Sequence, residues 1–270
     1  MGDIHRPTGV PLRDRISHLF LERGTLHASR HSLSFERESG AIEIPVGKAS
    51  VLFLEPGTKV THAAVKMCAD HGTQLCWVGE AGVHLYASGL SGGPAGTRIL
   101  EQARLRLDPQ ARIEVARRFH ELMFGAKPPP ARQIEKLRGI EGGWVKKRYQ
   151  ALAAEHGSQW VSRESLPRRY QDALGYATST LYGLAEAVIM AAGYSPSIGF
   201  IHSGDRRSLV FDLADTIKFA TVVPLAFCIA GGECADVRST VRRACRDLFR
   251  RERIIDRLFD NLEYGLRCES

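Results

Sequence analysis

The first third of the chain alternates apolar and polar residues in short segments that are separated by turn residues. The alternation is clearest at Ile42 and Ile44 and at Leu52 and Leu54, and a period of two is typical of a strand with one buried face. Around residues 16–56 five segments have this character: SHLFLERG, TLHAS, SLSFERE, AIEIPV and VLFLEPG. They are punctuated by glycines at positions 24, 40 and 47 and by the Pro-Gly pair at 56–57. The pattern predicts a β-rich unit.

One short helix and two further strands complete this unit. Thr61 has the hydroxyl that an N-cap needs, the helical segment HAAVKMCADHG follows it, and Gly72 is a typical helix end. The segments QLCWVG and VHLYAS then return to strand-like sequence. We therefore predict an N-terminal β-domain over residues 1–87.

The composition changes abruptly between Ser88 and Thr97. This stretch, SGLSGGPAGT, holds four glycines and one proline, a composition typical of a flexible linker. We predict a linker over residues 88–97.

After the linker the apolar period becomes that of a helix. The spacing predicts helices around Ile99–Leu107 and Ile113–Met123, a short one that ends near Arg138, and then Glu141–Gly157, Tyr170–Ala192, Phe211–Ala230 and Val237–Leu266. The predicted fold class is α+β in two domains, with an all-α catalytic domain over residues 98–270 following the β-domain.

Basic residues are concentrated after the first third of the chain. The 270 residues carry a formal net charge of +7, and residues 1–90 hold nine Lys/Arg and nine Asp/Glu, so the whole excess lies in residues 91–270. Within that part, residues 98–148 hold 13 basic and six acidic side chains. A basic second domain predicts a polyanionic partner such as nucleic acid. Charge alone is equally compatible with a solvated basic surface.

The composition argues against several classes of protein. With 44% hydrophobic and 25% charged residues the chain has a globular balance, and no apolar stretch reaches the roughly 20 residues of a membrane helix. The N-terminal sequence MGDIHRPTGVPLRDR lacks an apolar signal core, so we expect a cytoplasmic protein. None of the six cysteines belongs to a CxxC pair, which argues against a zinc ribbon and favours free thiols.

One polar stretch that follows a long apolar run is the best candidate for chemistry. Its sequence, GFIHSGDRRSLVFDLADTIK, contains His202, Asp212 and Asp215. The two aspartates are three residues apart, so they share a face of a helix, and the preceding histidine could join them at a metal ion. Glu141, in LRGIEGGWVKKRY, is the candidate for a further carboxylate.

Each of these residues also has an ordinary structural explanation. Glu141 at the start of a helix would complement the helix dipole, and a histidine after an apolar run is most often a hydrogen-bonded structural residue. Asp212 and Asp215 could face solvent, although their neighbours are mostly apolar and acids buried in such a segment need a partner or a metal ion. The pattern leaves both interpretations open.

If the cluster is a site, its donor set indicates the metal and the substrate. Carboxylates with one imidazole favour Mg²⁺ or Mn²⁺ over zinc, and such an ion stabilises charge on the pentavalent transition state of phosphoryl transfer. In a basic helical domain the expected substrate is a nucleic-acid phosphodiester. Lys146, Lys147 and Arg148, on the helix of Glu141, would hold its backbone, unless they are simply a solvated helix face.

Several longer segments resemble one known family. The segments are LRGIEGGWVKKRY, LYGLAEAVIMAAGYSPSIGFIHSG, VFDLADTIKF, EPGTKVTHAAVK, CWVGEAGVHLYASG and RRACRDLF. They are similar to the CRISPR adaptation integrase family, Cas1, in the form linked to type I-E Cascade systems. The similarity runs from about Pro11 to about Phe249.

The resemblance implies a fold, an assembly and a reaction. It implies an N-terminal β-domain, a C-terminal α-domain and a homodimer, two of which would clamp a dimer of the partner protein Cas2. The implied reaction is a metal-dependent transesterification in which the 3′-hydroxyl of a prespacer duplex attacks a repeat boundary of a CRISPR array, together with DNA endonuclease activity. The DNA hydroxyl is the nucleophile, so the protein needs none.

The resemblance also implies residue roles. By motif match Glu141, His202 and Asp215 would hold Mg²⁺ or Mn²⁺, and Asp212 would be an auxiliary catalytic acid. Tyr182 would line the DNA channel. The remaining implied DNA contacts are Lys59 and Lys66, which stand where a relative carries arginine, so phosphate attraction is retained and bidentate geometry is lost.

Two other functions stay open beside integration. The first is a non-catalytic nucleic-acid-binding scaffold whose acids are structural, and the second is a general structure-selective, metal-dependent nuclease.

Overall fold

Strands occupy the N-terminal part of the protein and helices the C-terminal part, which confirms the α+β prediction. The computed structural model describes residues 16–30, 32–45, 49–79, 85–89, 95–130 and 133–267. The strands in these ranges are β1 (Ile16–Leu21), β2 (Gly24–Ala28), β3 (Ser32–Arg37), β4 (Gly40–Pro45), β5 (Ala49–Leu54), β6 (Thr58–Val60), β7 (Gln74–Val78) and β8 (Leu85–Ser88). The helices are α1 (His62–Asp70), α2 (Ala95–Leu107), α3 (Pro109–Phe124), α4 (Ile134–Glu155), α5 (Arg168–Ala191), α6 (Ser208–Lys218), α7 (Val222–Gly231), α8 (Val237–Arg251) and α9 (Ile254–Leu266).

The strands form two sheets. The first has the order β1-β5-β7-β8, in which β1, β5 and β7 run parallel and β8 pairs antiparallel with β7. The second has the order β4-β3-β2-β6. Helix α1 leads from β6 to β7, and its N-cap is the predicted one: the Thr61 hydroxyl accepts a hydrogen bond from the N–H of Ala64. Strand β6 was not predicted, because three residues are too few to show alternation.

The first sheet is buried on both faces. Val51 and Phe53 on one face belong to the same hydrophobic cluster as the helices. Leu52 and Leu54, which alternate with them, pack against the second sheet and α1. The strand-rich and helical parts therefore meet through this sheet, while the predicted division into residues 1–87 and 98–270 stays a prediction. Of the predicted linker, residues 90–94 lie outside the described ranges, and α2 already begins at Ala95.

Helix α5 is the centre of the helical part, as its apolar periodicity predicts. Thirteen of its 24 residues are buried, and it packs against α6, α7, α8 and α9. Helix α3 is bounded by standard capping residues: Asp108 accepts hydrogen bonds from the N–H groups of Gln110 and Ala111, and Gly125 ends the helix in the left-handed conformation.

The prediction of two helices around Glu141 is wrong, because a single helix, α4, runs through the glycines at positions 139, 142 and 143. A glycine inside a helix costs about 1 kcal/mol relative to alanine. Burial of Ile134 and Leu137 near one end and of Ala153 near the other anchors the helix on both sides of them. Glu141 therefore lies inside a helix and not at its N-terminus, so the helix-dipole explanation of this residue no longer applies.

Two segments predicted as single helices are each broken. Helices α6 and α7 meet at an angle of 66°. Arg253, with φ of +47°, separates α8 from α9. Among the described residues no single helix has the length and apolar character of a membrane span, and α6 and α7 reach it only when taken together across their bend.

Candidate metal centre

Three side chains from separate parts of the chain meet in the helical half. Glu141 on α4, His202 in the loop before α6 and Asp215 on α6 each offer one ligand atom, and these atoms lie within 4.8 Å of one another. The three side chains are 12%, 28% and 12% exposed, so solvent reaches the cluster. Two carboxylates and one imidazole are a donor set for a hard or borderline divalent cation. The structure thus brings together the three residues that were predicted as ligands.

Asp212 lies beside this cluster, but its carboxylate is hydrogen-bonded to backbone N–H groups. Its side chain is fully buried, and its two oxygens accept hydrogen bonds from the N–H groups of Phe200 (2.6 Å), Ile201 (3.1 Å) and His202 (2.9 Å). The loop approaches α6 so closely that a Cβ at Gly199 would stand 2.6 Å from the Ser208 Cβ. Asp212 therefore fastens the loop that carries His202 to α6.

The same carboxylate orients the imidazole. Nδ1 of His202 lies 2.8 Å from Oδ1 of Asp212, which makes Nδ1 the protonated nitrogen and leaves Nε2 as the one available to an ion. Burial alone would lower the pKa of His202, but the hydrogen bond and charge of Asp212, with the charges of Asp215 and Glu141, raise it overall. The ion-free site therefore favours the imidazolium more than water does.

Glu141 has a partner that the sequence did not suggest. Its Oε2 lies 3.2 Å from Nε2 of His120, which is on α3 and only 1% exposed. Burial would raise the pKa of Glu141, but the hydrogen bond and charge of His120, together with His202 and Lys218, lower it overall. Glu141 is thus held in the ionised form that a metal ligand requires.

Asp215 is paired with a lysine on its own helix. Nζ of Lys218 lies 2.5 Å from Oδ1 of Asp215, and the lysine side chain is 11% exposed. Burial raises the pKa of Asp215 despite the opposing effect of Lys218. The Tyr182 ring meets the Phe211 ring edge-on at 5.2 Å, and the Phe211 ring also contacts the imidazole of His202, so the predicted channel residue is near the cluster. Each of the three predicted ligands therefore has its own buried or nearly buried partner: His120, Asp212 or Lys218.

Comparisons with known proteins decide the family. The family model described as CRISPR associated protein Cas1 matches residues 19–126 and 123–231. A CRISPR-associated endonuclease Cas1 from Geobacter sulfurreducens is 45% identical over 264 residues, which are 95% of this chain and 86% of that protein. The Escherichia coli K12 protein of the same description is 44% identical over 261 residues, 94% of this chain and 86% of its own length. The chain belongs to the Cas1 family.

A solved Cas1 structure shares the fold over nearly the whole chain. The crystal structure of a TtCas1–DNA complex superposes with a TM-score of 0.83 at 34% identity, covering 95% of this chain and 98% of that one. The predicted family is therefore confirmed, and with it the predicted function at the level of the family, that of a CRISPR adaptation integrase and endonuclease.

The predicted DNA contacts of this Cas1 protein on α4 lie on the helix that carries Glu141. Lys146, Lys147 and Arg148 are exposed and within two helical turns of Glu141. The guanidinium of Arg148 lies 5.4 Å from the ring centroid of Trp144.

Lys59 and Lys66 are both exposed but lie on the strand-rich half, on β6 and α1. Nζ of Lys66 is 2.5 Å from Asp70, four residues later on the same helix. The two lysines therefore differ in local charge.

A basic groove of this Cas1 protein was also missed. It has a volume of about 580 Å³ and lies between strands of the β-rich half and α8. Its lining includes Arg37 on β3 and four arginines of α8: Arg242, Arg243, Arg246 and Arg250. Their spacing along α8, opposite the buried positions of that helix, is the signal that would have found them.

His120 and Lys218 were missed for a different reason. His120 lies four residues after Ala116, so it shares the apolar face of α3 and resembles a core residue in the sequence. Lys218 is three residues after Asp215 and shares its helix face. The same spacing argument that joined Asp212 and Asp215 would have included it.

Proposed function

We propose that this Cas1 protein joins the 3′-hydroxyl ends of prespacer DNA to the repeat of a CRISPR array of a type I-E system by metal-dependent transesterification. The observation that supports this is the cluster of Glu141, His202 and Asp215, with ligand atoms within 4.8 Å of one another, in a chain of this family. The DNA endonuclease activity is assigned to the same cluster.

The donor atoms fit Mg²⁺ or Mn²⁺. Nε2 of His202 is available because Nδ1 faces Asp212, and the carboxylates of Glu141 and Asp215 supply the oxygen ligands that these ions prefer. An ion bound there supplies Lewis-acid polarisation of a phosphate oxygen and stabilises the charge of the transition state. Asp212 serves as the auxiliary acid by holding His202, and not as a ligand.

The reaction exchanges one phosphodiester bond for another. The prespacer 3′-hydroxyl loses its proton as its oxygen forms a bond to a phosphorus of the repeat. The bond from that phosphorus to the 3′-oxygen of the repeat strand breaks, and the released oxygen takes up a proton to become a hydroxyl. No protein atom forms a covalent bond, so the residues of the site act by holding the phosphate and the hydroxyl in line.

DNA is held by groups on both halves of the protein. We assign backbone contacts near the reacting phosphate to Lys146, Lys147 and Arg148, and a place on the channel wall to Tyr182. Lys59 and Lys66 are assigned to the prespacer backbone farther away. Their exposure supports this role, because phosphate contacts need side chains that a duplex can reach.

The proposed assembly is a homodimer that binds Cas2. Each chain of the homodimer has an N-terminal β-domain and a C-terminal catalytic domain. The place of action is the cytoplasm, where the DNA of a bacterial or archaeal CRISPR array lies.

The test is an integration assay with the protein, Cas2, a prespacer and repeat DNA in the presence of Mn²⁺. We expect joined products with the wild type, none with Asp215→Ala or His202→Ala, and normal joining with the control Asp172→Ala, an acid on α5 that pairs with Arg168. Joining that survives both ligand variants would contradict the metal assignment. DNA binding without metal-dependent joining would indicate a scaffold, and efficient cleavage of forks without joining a general nuclease.

A further inference from the structure

We infer that His120 is a positioning residue that fixes the carboxylate of Glu141 for metal binding. The inference rests on the proposed function, because it assumes that the cluster of Glu141, His202 and Asp215 binds an ion.

The contact between the two side chains has one consistent proton arrangement. Nε2 of His120 lies 3.2 Å from Oε2 of Glu141. A glutamate that binds a metal ion is ionised and can only accept hydrogen bonds, so the proton of this contact is on Nε2. Oε2 is then engaged by the imidazole and Oε1 is left for the ion. A hydrogen bond from a histidine to a ligating carboxylate is the kind of contact that orients a metal ligand.

The environment of Nδ1, the other ring nitrogen of His120, indicates that core packing does not require an imidazole at this position. The residue is fully buried, and within the described ranges Nδ1 has no hydrogen-bond partner. An unpaired buried polar atom is destabilising, so an apolar side chain of the same shape would suit the hydrophobic interior at least as well. Among the described residues the ring has one polar interaction, the contact with Glu141, and this offsets the cost.

Helix α4 contributes few fully buried side chains around Glu141. Only three of its 22 residues are buried, and these lie at positions 134, 137 and 153. By contrast, 13 of the 24 residues of α5 are buried. Glu141 stands between the two anchored ends of α4, beside glycines at 142 and 143 whose added Cβ atoms would meet nothing within 4 Å. Trp144 and Val145 pack partly buried against the core and locate the backbone here, whereas the carboxylate of Glu141 gains its fixed position from His120.

His120 itself is held rigidly. Its ring stacks on Phe124 with centroids 5.2 Å apart and planes 7° apart. Phe124 contacts Trp144, and the Trp144 ring meets the Phe219 ring edge-on at 5.2 Å. This row of rings joins α3, α4 and the end of α6, the three helices that carry His120, Glu141 and Asp215. The fixed imidazole can therefore hold the carboxylate of Glu141 in one position through its hydrogen bond.

The experiment measures Mn²⁺ binding to the full-length, metal-free protein by electron paramagnetic resonance of free Mn²⁺. The variants are His120→Phe, which keeps the ring and the stacking, and His120→Gln, whose amide nitrogen can replace Nε2 as the donor. His156→Phe, which changes a histidine at the end of the same α4 helix, is the matched control. Glu141→Gln reports whether the cluster binds the ion at all.

We expect His120→Phe to weaken Mn²⁺ binding about 10- to 100-fold, with His120→Gln restored to within about 3-fold and His156→Phe unchanged. We also expect the melting temperature of His120→Phe in EDTA to stay within about 3 °C of the wild type or to rise. A purely structural histidine would give the reverse, with lost stability and retained binding.

The outcomes separate the inference from the proposed function. Wild-type Mn²⁺ binding by His120→Phe, with binding lost in Glu141→Gln, would overturn the role of His120 and leave the metal centre intact. Unchanged binding in Glu141→Gln would instead overturn the metal centre. Should His120→Phe fail to fold, His120→Leu takes its place, and failure of both would overturn the inference because the core would then require the imidazole.

Discussion

Asp212 and His202 are joined by two hydrogen bonds to a single oxygen. Oδ1 of Asp212 accepts the backbone N–H of His202 at 2.9 Å and contacts Nδ1 of its ring at 2.8 Å. The aspartate one turn later, Asp215, has no such backbone role in the described contacts and faces the cluster instead. The two neighbouring acids therefore have different roles. Asp212 holds the loop by hydrogen bonds, and Asp215 is available as a metal ligand.

This difference predicts that substitution of Asp212 lowers both stability and metal binding. Asp212→Asn replaces a buried acceptor of four hydrogen bonds by an amide with one acceptor oxygen. Since a hydrogen bond to a charged group contributes about 1.5–3 kcal/mol, we expect the free energy of unfolding to fall by about 2–4 kcal/mol in urea titrations. Mn²⁺ binding should weaken about 10- to 100-fold, because the imidazole loses its orientation.

His202→Ala is the matched control for this prediction. It removes the proposed ligand but leaves the backbone N–H bonds to Asp212, so it should abolish joining with a much smaller loss of stability. Equal losses of stability in the two variants would contradict the role of Asp212 as the anchor of the loop.

The pKa of His202 gives a pH dependence whose sign can be worked out. In the folded protein burial would lower the pKa of His202, but Asp212, Asp215 and Glu141 raise it above its usual value. The protonated ring therefore stabilises the ion-free protein fully below the unfolded pKa of about 6.5, and this contribution is lost as the pH rises through the folded pKa. In EDTA, the difference in unfolding free energy between wild type and His202→Gln should shrink over that range.

Metal binding has the opposite pH dependence. The proton on Nε2 must leave before the nitrogen can bind an ion, so Mn²⁺ affinity and joining should both increase as the pH rises through the pKa of His202. A flat profile between pH 5 and pH 8 would contradict ligation by this residue.

Lys218 acts as the cation of the ion-free cluster. Burial alone would lower its pKa, but Asp215, with Tyr182 and Tyr149 nearby, raises it overall. Lys218→Met leaves Asp215 and Glu141 without this charge, and we expect the ion-free protein to lose about 3–5 kcal/mol of stability. Mn²⁺ should then raise the melting temperature more than in the wild type. Lys136→Met, which removes an exposed lysine of α4, should leave both melting temperatures unchanged.

Those parts of the fold that depend on local pattern could be predicted from the sequence. Alternation found the strands around Ile42 and Leu52, and the Thr61 cap was correct because the side chain and its N–H partner are only three residues apart. Around Glu141 the prediction failed, because glycine propensity is a local signal whereas the packing of Leu137 and Ala153 that carries α4 through those glycines is tertiary.

The candidate site was predictable to the same extent. Glu141, His202 and Asp215 came from residue type, spacing and family resemblance, and the structure places them together. The distinction between Asp212 and Asp215 depends on which face of α6 meets the loop, and the partnership of His120 depends on how α3 packs against α4. Neither follows from one-dimensional spacing.

The two lysines assigned to the prespacer backbone should contribute unequally to DNA binding. Lys66 lies 2.5 Å from Asp70, so binding a phosphate there requires an existing ion pair to be broken or shared, whereas Lys59 is exposed on β6. Each phosphate neutralised contributes about 0.9 to the slope of log affinity against log salt. Lys59→Gln should therefore reduce the slope for a prespacer duplex by about 0.9, and Lys66→Gln by clearly less. Fluorescence anisotropy between low and high salt measures both slopes, with Asp70→Asn as the control that should strengthen binding. Equal reductions for the two lysines would show that the Asp70 pair does not compete with DNA.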